Sequence, residues 1–261
     1  MKTKPVVLTL AGSDPCGGAG LQADLRVMEA LGCYGMAVVT ALTVQNSLGV
    51  QRVCPVEPSL VEEQAFALFD DIRPDAVKVG MLGNGAVAEA VAHVLQRYGK
   101  GNVVVDTILK STSGASLFDS AAEGGMIEVM KCARVITPNL PEACNLLNDS
   151  MPTLEALACK MSLMAGGASV YLKGGHGDGE TLTDLFYNAE AGHFIQMQHS
   201  RIATRNTHGT GCTLSSALAS YLATGCTLDD AARQAADFMQ RALSEGCDYT
   251  LGQGHGPAFM G

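Results

Sequence analysis

Charge is scarce in this 261-residue chain: Asp, Glu, Lys and Arg make up 16%, against 47% hydrophobic residues. That balance excludes a disordered chain. Basic charge is scarcer still, with 17 Lys and Arg against 26 Asp and Glu, a net charge of −9 and no Lys/Arg cluster. A nucleic-acid surface needs a basic patch, so nucleic acid is not an expected partner. No run of roughly 18 apolar residues occurs, so no membrane-spanning helix is expected. The apolar run behind Met1-Lys2-Thr3-Lys4-Pro5 covers residues 6–11 only, too short for a signal segment. The nine cysteines, an odd number, form no Cys-x-x-Cys pair, which disfavours a disulfide framework or a structural zinc site. Neither G-x-x-x-x-G-K-[ST] nor G-x-G-x-x-G is present, and neither is H-E-x-x-H or G-x-S-x-G, so no common nucleotide, zinc-protease or hydrolase signature applies. The expectation is a soluble cytoplasmic protein.

What the chain has is an alternation of short apolar runs with helically spaced segments. Residues 6–11 read as a strand buried in a parallel sheet. They feed the loop Gly12-Ser13-Asp14-Pro15-Cys16-Gly17-Gly18-Ala19-Gly20, whose glycines let backbone approach a ligand closely. A helix over residues 21–31 follows. Further strands are expected at residues 34–44, 76–79, 103–106, 135–137 and 169–173. Helices are expected from an N-cap at Ser59 to residue 69, up to about residue 98, from residues 138–142 onward, up to residue 224, and over 227–245. Residues 45–53 read as a turn leading to an edge strand, 181–187 and 193–198 as a hairpin, and 107–118 as a loop. The alternation predicts one α/β domain over residues 1–261, a mainly parallel sheet covered on both faces.

Ligands of open α/β sheets sit beyond the C-terminal strand ends. Asp106 ends the fourth strand, so it either faces a site or caps a helix. Lys173 ends the sixth and is either a nucleotide contact or a solvated lysine. Glu142 stands three residues after Asn139 at a helix start. There it either stabilises the first turn or holds magnesium-bound water near a phosphate. The densest chemistry lies in Thr204-Arg205-Asn206-Thr207-His208-Gly209-Thr210-Gly211-Cys212-Thr213-Leu214-Ser215-Ser216. A Gly-Thr-Gly loop entering a helix aims unpaired N–H groups at one point, and the helix dipole adds to them, making an anion site. The same field predicts a lowered pKa for the Cys212 thiol. The plainer reading is a glycine turn with Cys212 as a small core residue. His208 reads as a structural loop histidine, with a proton carrier as the alternative.

Six segments together resemble one family. They are Ala11-Gly12-Ser13-Asp14-Pro15-Cys16-Gly17-Gly18-Ala19-Gly20-Leu21-Gln22-Ala23-Asp24, Thr40-Ala41-Leu42-Thr43-Val44-Gln45-Asn46 and Lys78-Val79-Gly80-Met81-Leu82. The others are Thr137-Pro138-Asn139-Leu140-Pro141-Glu142, Leu172-Lys173-Gly174-Gly175-His176 and Asn206-Thr207-His208-Gly209-Thr210-Gly211-Cys212-Thr213. Between residues 6 and 256 the chain is similar to the hydroxymethylpyrimidine/phosphomethylpyrimidine kinases of thiamine biosynthesis, in the ribokinase-like superfamily. The resemblance implies a three-layer α/β fold with a small edge flap, and ATP and Mg2+ as reaction partners. It implies phosphorylation of 4-amino-5-hydroxymethyl-2-methylpyrimidine and then of its monophosphate. It also implies Cys212 as the base, an anion hole from Gly209, Thr210 and Gly211, and Gln45 on the pyrimidine ring. Gly12, Ala19, Asp24 and Met81 would complete the substrate pocket. Lys173, Asn139 and Asp106 would lie near the nucleotide, and Glu142 near magnesium through water. Many relatives are homodimers.

One segment departs from the family pattern. Where Lys-Ser-Gly-Asp-Pro-Leu is usual, the chain has Thr112-Ser113-Gly114-Ala115-Ser116-Leu117, which removes a lysine from the lid. A pyridoxal/pyridoxine kinase of the same superfamily is the alternative, and some of those carry a lid cysteine that residues 107–117 lack. A non-catalytic binding protein on the same fold is a further alternative.

Overall fold

A computed structural model describes residues 4–98, 101–108, 123–149, 153–174, 179–259 and 261. The elements run β1 (Val6–Ser13), α1 (Gly20–Ala30), β2 (Tyr34–Asn46), β3 (Gly49–Pro55), α2 (Pro58–Asp71), β4 (Ala76–Val79), α3 (Gly85–Tyr98) and β5 (Asn102–Val105). There follow α4 (Glu123–Lys131), β6 (Val135–Ile136), α5 (Leu140–Leu147), α6 (Leu154–Met164), β7 (Ser169–Leu172), β8 (Thr181–Asn188), β9 (His193–Ser200), α7 (Thr210–Ala223) and α8 (Leu228–Gly246). One sheet holds all the strands in the order β3-β2-β1-β4-β5-β6-β7-β8-β9. From β2 to β7 every pairing is parallel, while β3, β8 and β9 join antiparallel at the two edges. The ribokinase-like three-layer arrangement with a hairpin flap, β2–β3, is the fold.

Short strands with both sides apolar are dictated by helices on both faces. Leu8, Leu10, Val77, Val79, Val103, Val105, Ile136, Val170 and Leu172 pack with residues of α2, α3, α4, α5 and α6. Their neighbours Val7, Ala76, Val104, Val135 and Tyr171 pack with α1, α7 and α8. The period of two along a strand sorts the two sets.

Three expectations need adjustment. α2 begins at Pro58, with Glu57 in the cap position and Ser59 inside the helix, because proline's fixed φ suits the first helical position. Residues 45–53 are a hairpin continuous with β2, the ladder running to Asn46 opposite Gly49. α4 and α6 are helices that the sequence reading passed over. Of the expected loop at 107–118, residues 109–118 lie outside the described ones. No helix among the described residues is long and apolar enough to cross a membrane.

Candidate active site

The parallel strands all end toward a cavity of about 680 Å³. Gly12, Ala19, Gln45, Met81, Asp106, Asn139, Glu142, Lys173, Gly209, Thr210, Gly211 and Cys212 line it. Of the residues expected at the site, only Asp24 is elsewhere.

The start of α7 forms one wall. Gly209 is its N-cap at φ 80°, a left-handed conformation that glycine adopts without strain. A Cβ there would stand 1.9 Å from the Gly18 carbonyl oxygen, so the loop before α7 and the loop after β1 meet only because this residue is glycine. Asn206, buried behind the turn, donates to the carbonyls of Gly246 at 2.7 Å and Tyr249 at 2.8 Å. The Thr210 N–H reaches the Thr207 carbonyl at 3.4 Å and Thr213 N–H reaches Gly209 at 2.8 Å. The N–H groups of Gly211 and Cys212 find no acceptor among the described residues. They are the orphan donors of the first turn, one residue further along than expected. An anion fits there.

Cys212 itself corrects the expectation of an acidic thiol. Burial pushes its pKa up to about 11, against the opposing charge of Lys78. The desolvation penalty outweighs the helix end because the residue is only 6% exposed. At neutral pH the free protein carries the thiol. Asp24 is corrected too. Fully buried, it accepts from Thr9 Oγ1 at 2.6 Å and Ser216 Oγ at 2.7 Å, and from Lys78 Nζ on both oxygens at 2.8 Å. A carboxylate so saturated lies beneath the cavity rather than in it. Lys78, a residue that the sequence reading did not single out, is held protonated. Burial disfavours its charge, and Asp24 more than restores it.

The glycine-rich loop is organised by Asp14. Its carboxylate accepts from the N–H groups of Cys16 at 3.0 Å, Gly18 at 3.1 Å and Ala19 at 2.9 Å. His208 Nε2 lies 2.8 Å from the same carboxylate and 3.1 Å from the Gln45 amide. Burial alone would push the Asp14 carboxyl up, but His208 and the backbone donors outweigh it and bring it below the usual range. A carboxylate can only accept, so Nε2 carries the proton. The amide oxygen of Gln45 is then the group that suits Nε2, leaving the amide NH2 and the oxygen's second lone pair for the cavity. His208 is therefore the link between the loop and Gln45, a role visible only in three dimensions.

At the other side Asn139 and Glu142 form a reciprocal capping box on α5: Asn139 Oδ1 accepts from Glu142 N–H at 2.8 Å, and Glu142 Oε2 accepts from Asn139 N–H at 2.9 Å. The helix-start reading of Glu142 thus holds. Glu142 Oε1 takes no hydrogen bond among the described residues, and burial raises the carboxyl's pKa in spite of nearby Lys173. Lys173 Nζ binds Asp106 Oδ1 at 3.0 Å, and Thr137 Oγ1 donates to the same oxygen at 3.0 Å. Two carboxylates flanking one ammonium, with an oxygen to spare, are a donor set that suits magnesium. The far end of the cavity was not foreseen. There Ala236, Met239 and Leu243 of α8 and Ile202 contribute apolar surface, and Asp184 holds Gly174 N–H at 2.7 Å and Tyr171 Oη at 2.8 Å.

A family model described as phosphomethylpyrimidine kinase matches residues 14–259. The chain belongs to this family. A hydroxymethylpyrimidine/phosphomethylpyrimidine kinase of Escherichia coli (strain K12) is 42% identical over 254 residues, covering 96% of this chain and 95% of that protein. The crystal structure of phosphomethylpyrimidine kinase from Clostridium difficile 630 matches with a TM-score of 0.78 at 34% identity, over 93% of this chain and 99% of that one. An ADP complex of Bacillus subtilis pyridoxal kinase matches with a TM-score of 0.86 at 30% identity, over 98% of this chain and 96% of that one. The fold is thus shared by kinases for two different rings.

Proposed function

We propose that the protein is an ATP-dependent kinase that phosphorylates 4-amino-5-hydroxymethyl-2-methylpyrimidine and then its monophosphate, yielding the diphosphate. The observation that carries this reading is Cys212 lining the cavity beside the unpaired N–H groups of Gly211 and itself. Phosphoryl transfer needs an aligned acceptor and donors for the charge on the transferred group. In the first step the Cys212 thiolate takes the hydroxymethyl proton as that oxygen bonds to the γ-phosphorus and the bond to the ADP oxygen breaks. Because the thiol rests protonated, the active form is a minority whose share grows with pH. Gly209, Thr210 and Gly211 shape the anion hole. Gly12, Ala19 and Met81 enclose the ring. Lys173, Asn139 and Asp106 lie by the nucleotide, whose base fits the apolar end by Met239 and Leu243. Glu142 would hold magnesium through water, and the ion would neutralise phosphate charge.

Gln45 reads the ring. A 4-aminopyrimidine sets an acceptor nitrogen beside a donor amine, complementary to a carboxamide. Pyridoxal lacks that amine. Steady-state kinetics with the pyrimidine, its monophosphate and pyridoxal test the reading. The expected result is a kcat/KM for the pyrimidine roughly tenfold or more above pyridoxal, from one unpaired buried amide. Gln45→Leu should narrow that gap chiefly by harming the pyrimidine. Equal efficiency for both rings would favour the second reading, a pyridoxal kinase, which the likeness to the Bacillus subtilis enzyme supports. A cytoplasmic setting suits nine free cysteines. Pairing of two copies suits the flap, where Leu42, Val44 and Leu48 are exposed.

A further inference from the structure

Two helices meet in register beneath the cavity. Gly20 opens α1 and Cys212 stands in the first turn of α7, and the two helices pack against each other. One turn further along both helices, Ser216 of α7 donates to Asp24 of α1 at 2.7 Å. Residues four apart share a helix face, so Gly20 and Cys212 lie one turn back along the faces that meet in the Asp24 rung. Against the Asp24 rung, from β4, comes Lys78 Nζ, 2.8 Å from each Asp24 oxygen. Two of its three N–H groups are used there. The third has no hydrogen-bond acceptor among the described residues, and the other ionisable groups that Lys78 faces are Cys212 and Asp106. Gly80 leaves the room for this: a Cβ there would stand 2.8 Å from Nζ.

We propose that Lys78 is a positioning residue for the phosphoryl acceptor side of the site, its buried ammonium serving as the fixed counter-charge of the Cys212 thiolate. Asp24 anchors that ammonium and moderates it. Stability gives little reason to keep the pair, since a buried ion pair seldom outperforms apolar side chains of similar volume. β4 packs apolar residues readily, as Val77 and Val79 on its other side show. Four charged groups face Cys212: Lys78 from β4, Asp24 from α1, Asp106 beyond β5 and Lys173 beyond β7. Lys78 favours the thiolate, whereas Asp24 and Asp106 oppose it. Burial keeps the thiolate rare, and Lys78 sets how rare. The meaning for catalysis rests on Cys212 as the base.

The test is the pH dependence of Cys212 alkylation by iodoacetamide, resolved by peptide mass spectrometry and run on the full chain. Lys78→Met and Asp24→Asn each break the same ion pair, so a purely structural role moves both variants in the same direction. Counter-charge control moves them apart. At pH 8 Lys78→Met should slow alkylation of Cys212 about tenfold, Asp24→Asn should speed it, and Lys78→Arg should stay near the unmutated rate. Changes of the same sign, or none, overturn the proposal. If Lys78→Met does not fold, judged by circular dichroism, Asp24→Asn decides alone, and failure to accelerate overturns it. Turnover of Cys212→Ala is measured separately. Near-normal turnover there removes the base reading while the alkylation result still judges the counter-charge.

Discussion

The two faces of the sheet are built from the same strands and differ in one respect. Toward α2–α6 the strands present Leu8 and Leu10, Val77 and Val79, Val103 and Val105, Val170 and Leu172, apolar from one end to the other. Toward α1, α7 and α8 five of the parallel strands begin apolar, and the chain turns polar two residues later. Val7 is followed by Thr9, Ala76 by Lys78, Val104 by Asp106, Val135 by Thr137 and Tyr171 by Lys173. Along these four strands the first face is held by burial alone. The second exchanges apolar contact for buried hydrogen bonds and ion pairs where the parallel strands end, beneath the start of α7. Such groups are retained only when satisfied, and Asp24 and Asp106 show how far partners are supplied here. One face thus sets stability and the other sets chemistry.

The largest effect that can break this division is at Cys212. Cys212→Ala should lower the first phosphorylation by about 10²–10⁴-fold, the contribution of a positioned base. The second phosphorylation should suffer much less, because a phosphate oxygen with a second pKa of about 6 is already ionised at neutral pH. Single-turnover assays on each acceptor would show this. Equal losses in both steps would make Cys212 a shaping residue, and near-normal turnover would leave it a core cysteine. On the opposite face Leu10→Ala should cost about 2–5 kcal/mol in urea unfolding, from lost burial and the cavity left behind. The folded fraction should keep its kcat, and a matching fall in kcat would show that the faces are not separable.

A third effect is alkaline sensitivity. The folded pKa of Cys212 is raised from 9.0 to about 11, so the folded state holds the proton that the unfolded chain releases first. Stability is then complete below about pH 9 and falls as pH rises through 11, by up to about 3 kcal/mol. Urea titrations across that range should show the fall, with a shallower slope in Cys212→Ala. An unchanged slope would place the loss on other groups. The smallest effect is at Glu142, where Glu142→Gln should raise the magnesium needed for half-maximal rate while costing no more than about 1 kcal/mol through the weakened cap. A change in stability alone would confine Glu142 to the capping box.

Much of the fold was open to sequence reading because its signals are local. Apolar runs of strand length, the glycines after β1 and the Gly-Thr-Gly turn each carry their conformation within a few residues. α4 and α6 escaped for local reasons as well. α4 carries Gly124-Gly125 in its first turn, and glycine is a poor helix former, while α6 carries apolar residues on several sides. The site was legible to the extent that its residues follow strands or open helices, as Asp106, Asn139, Lys173 and Cys212 do. Lys78 and His208 were not, because their partners, Asp24 and Asp14, lie far away in the chain.

By itself the sequence determined the alternation of elements, the parallel sheet, the family, and the residue types at the mouth of the cavity. Tertiary structure alone decided which polar groups are desolvated and by what they are answered. That is why the Cys212 thiol, expected to be acidic at a helix start, is instead held protonated. A helix end acts through its own first turn, which a sequence displays. Burial and the charges of Lys78, Asp24 and Asp106 come from three other elements folded against that turn, and desolvation depends on all of them at once.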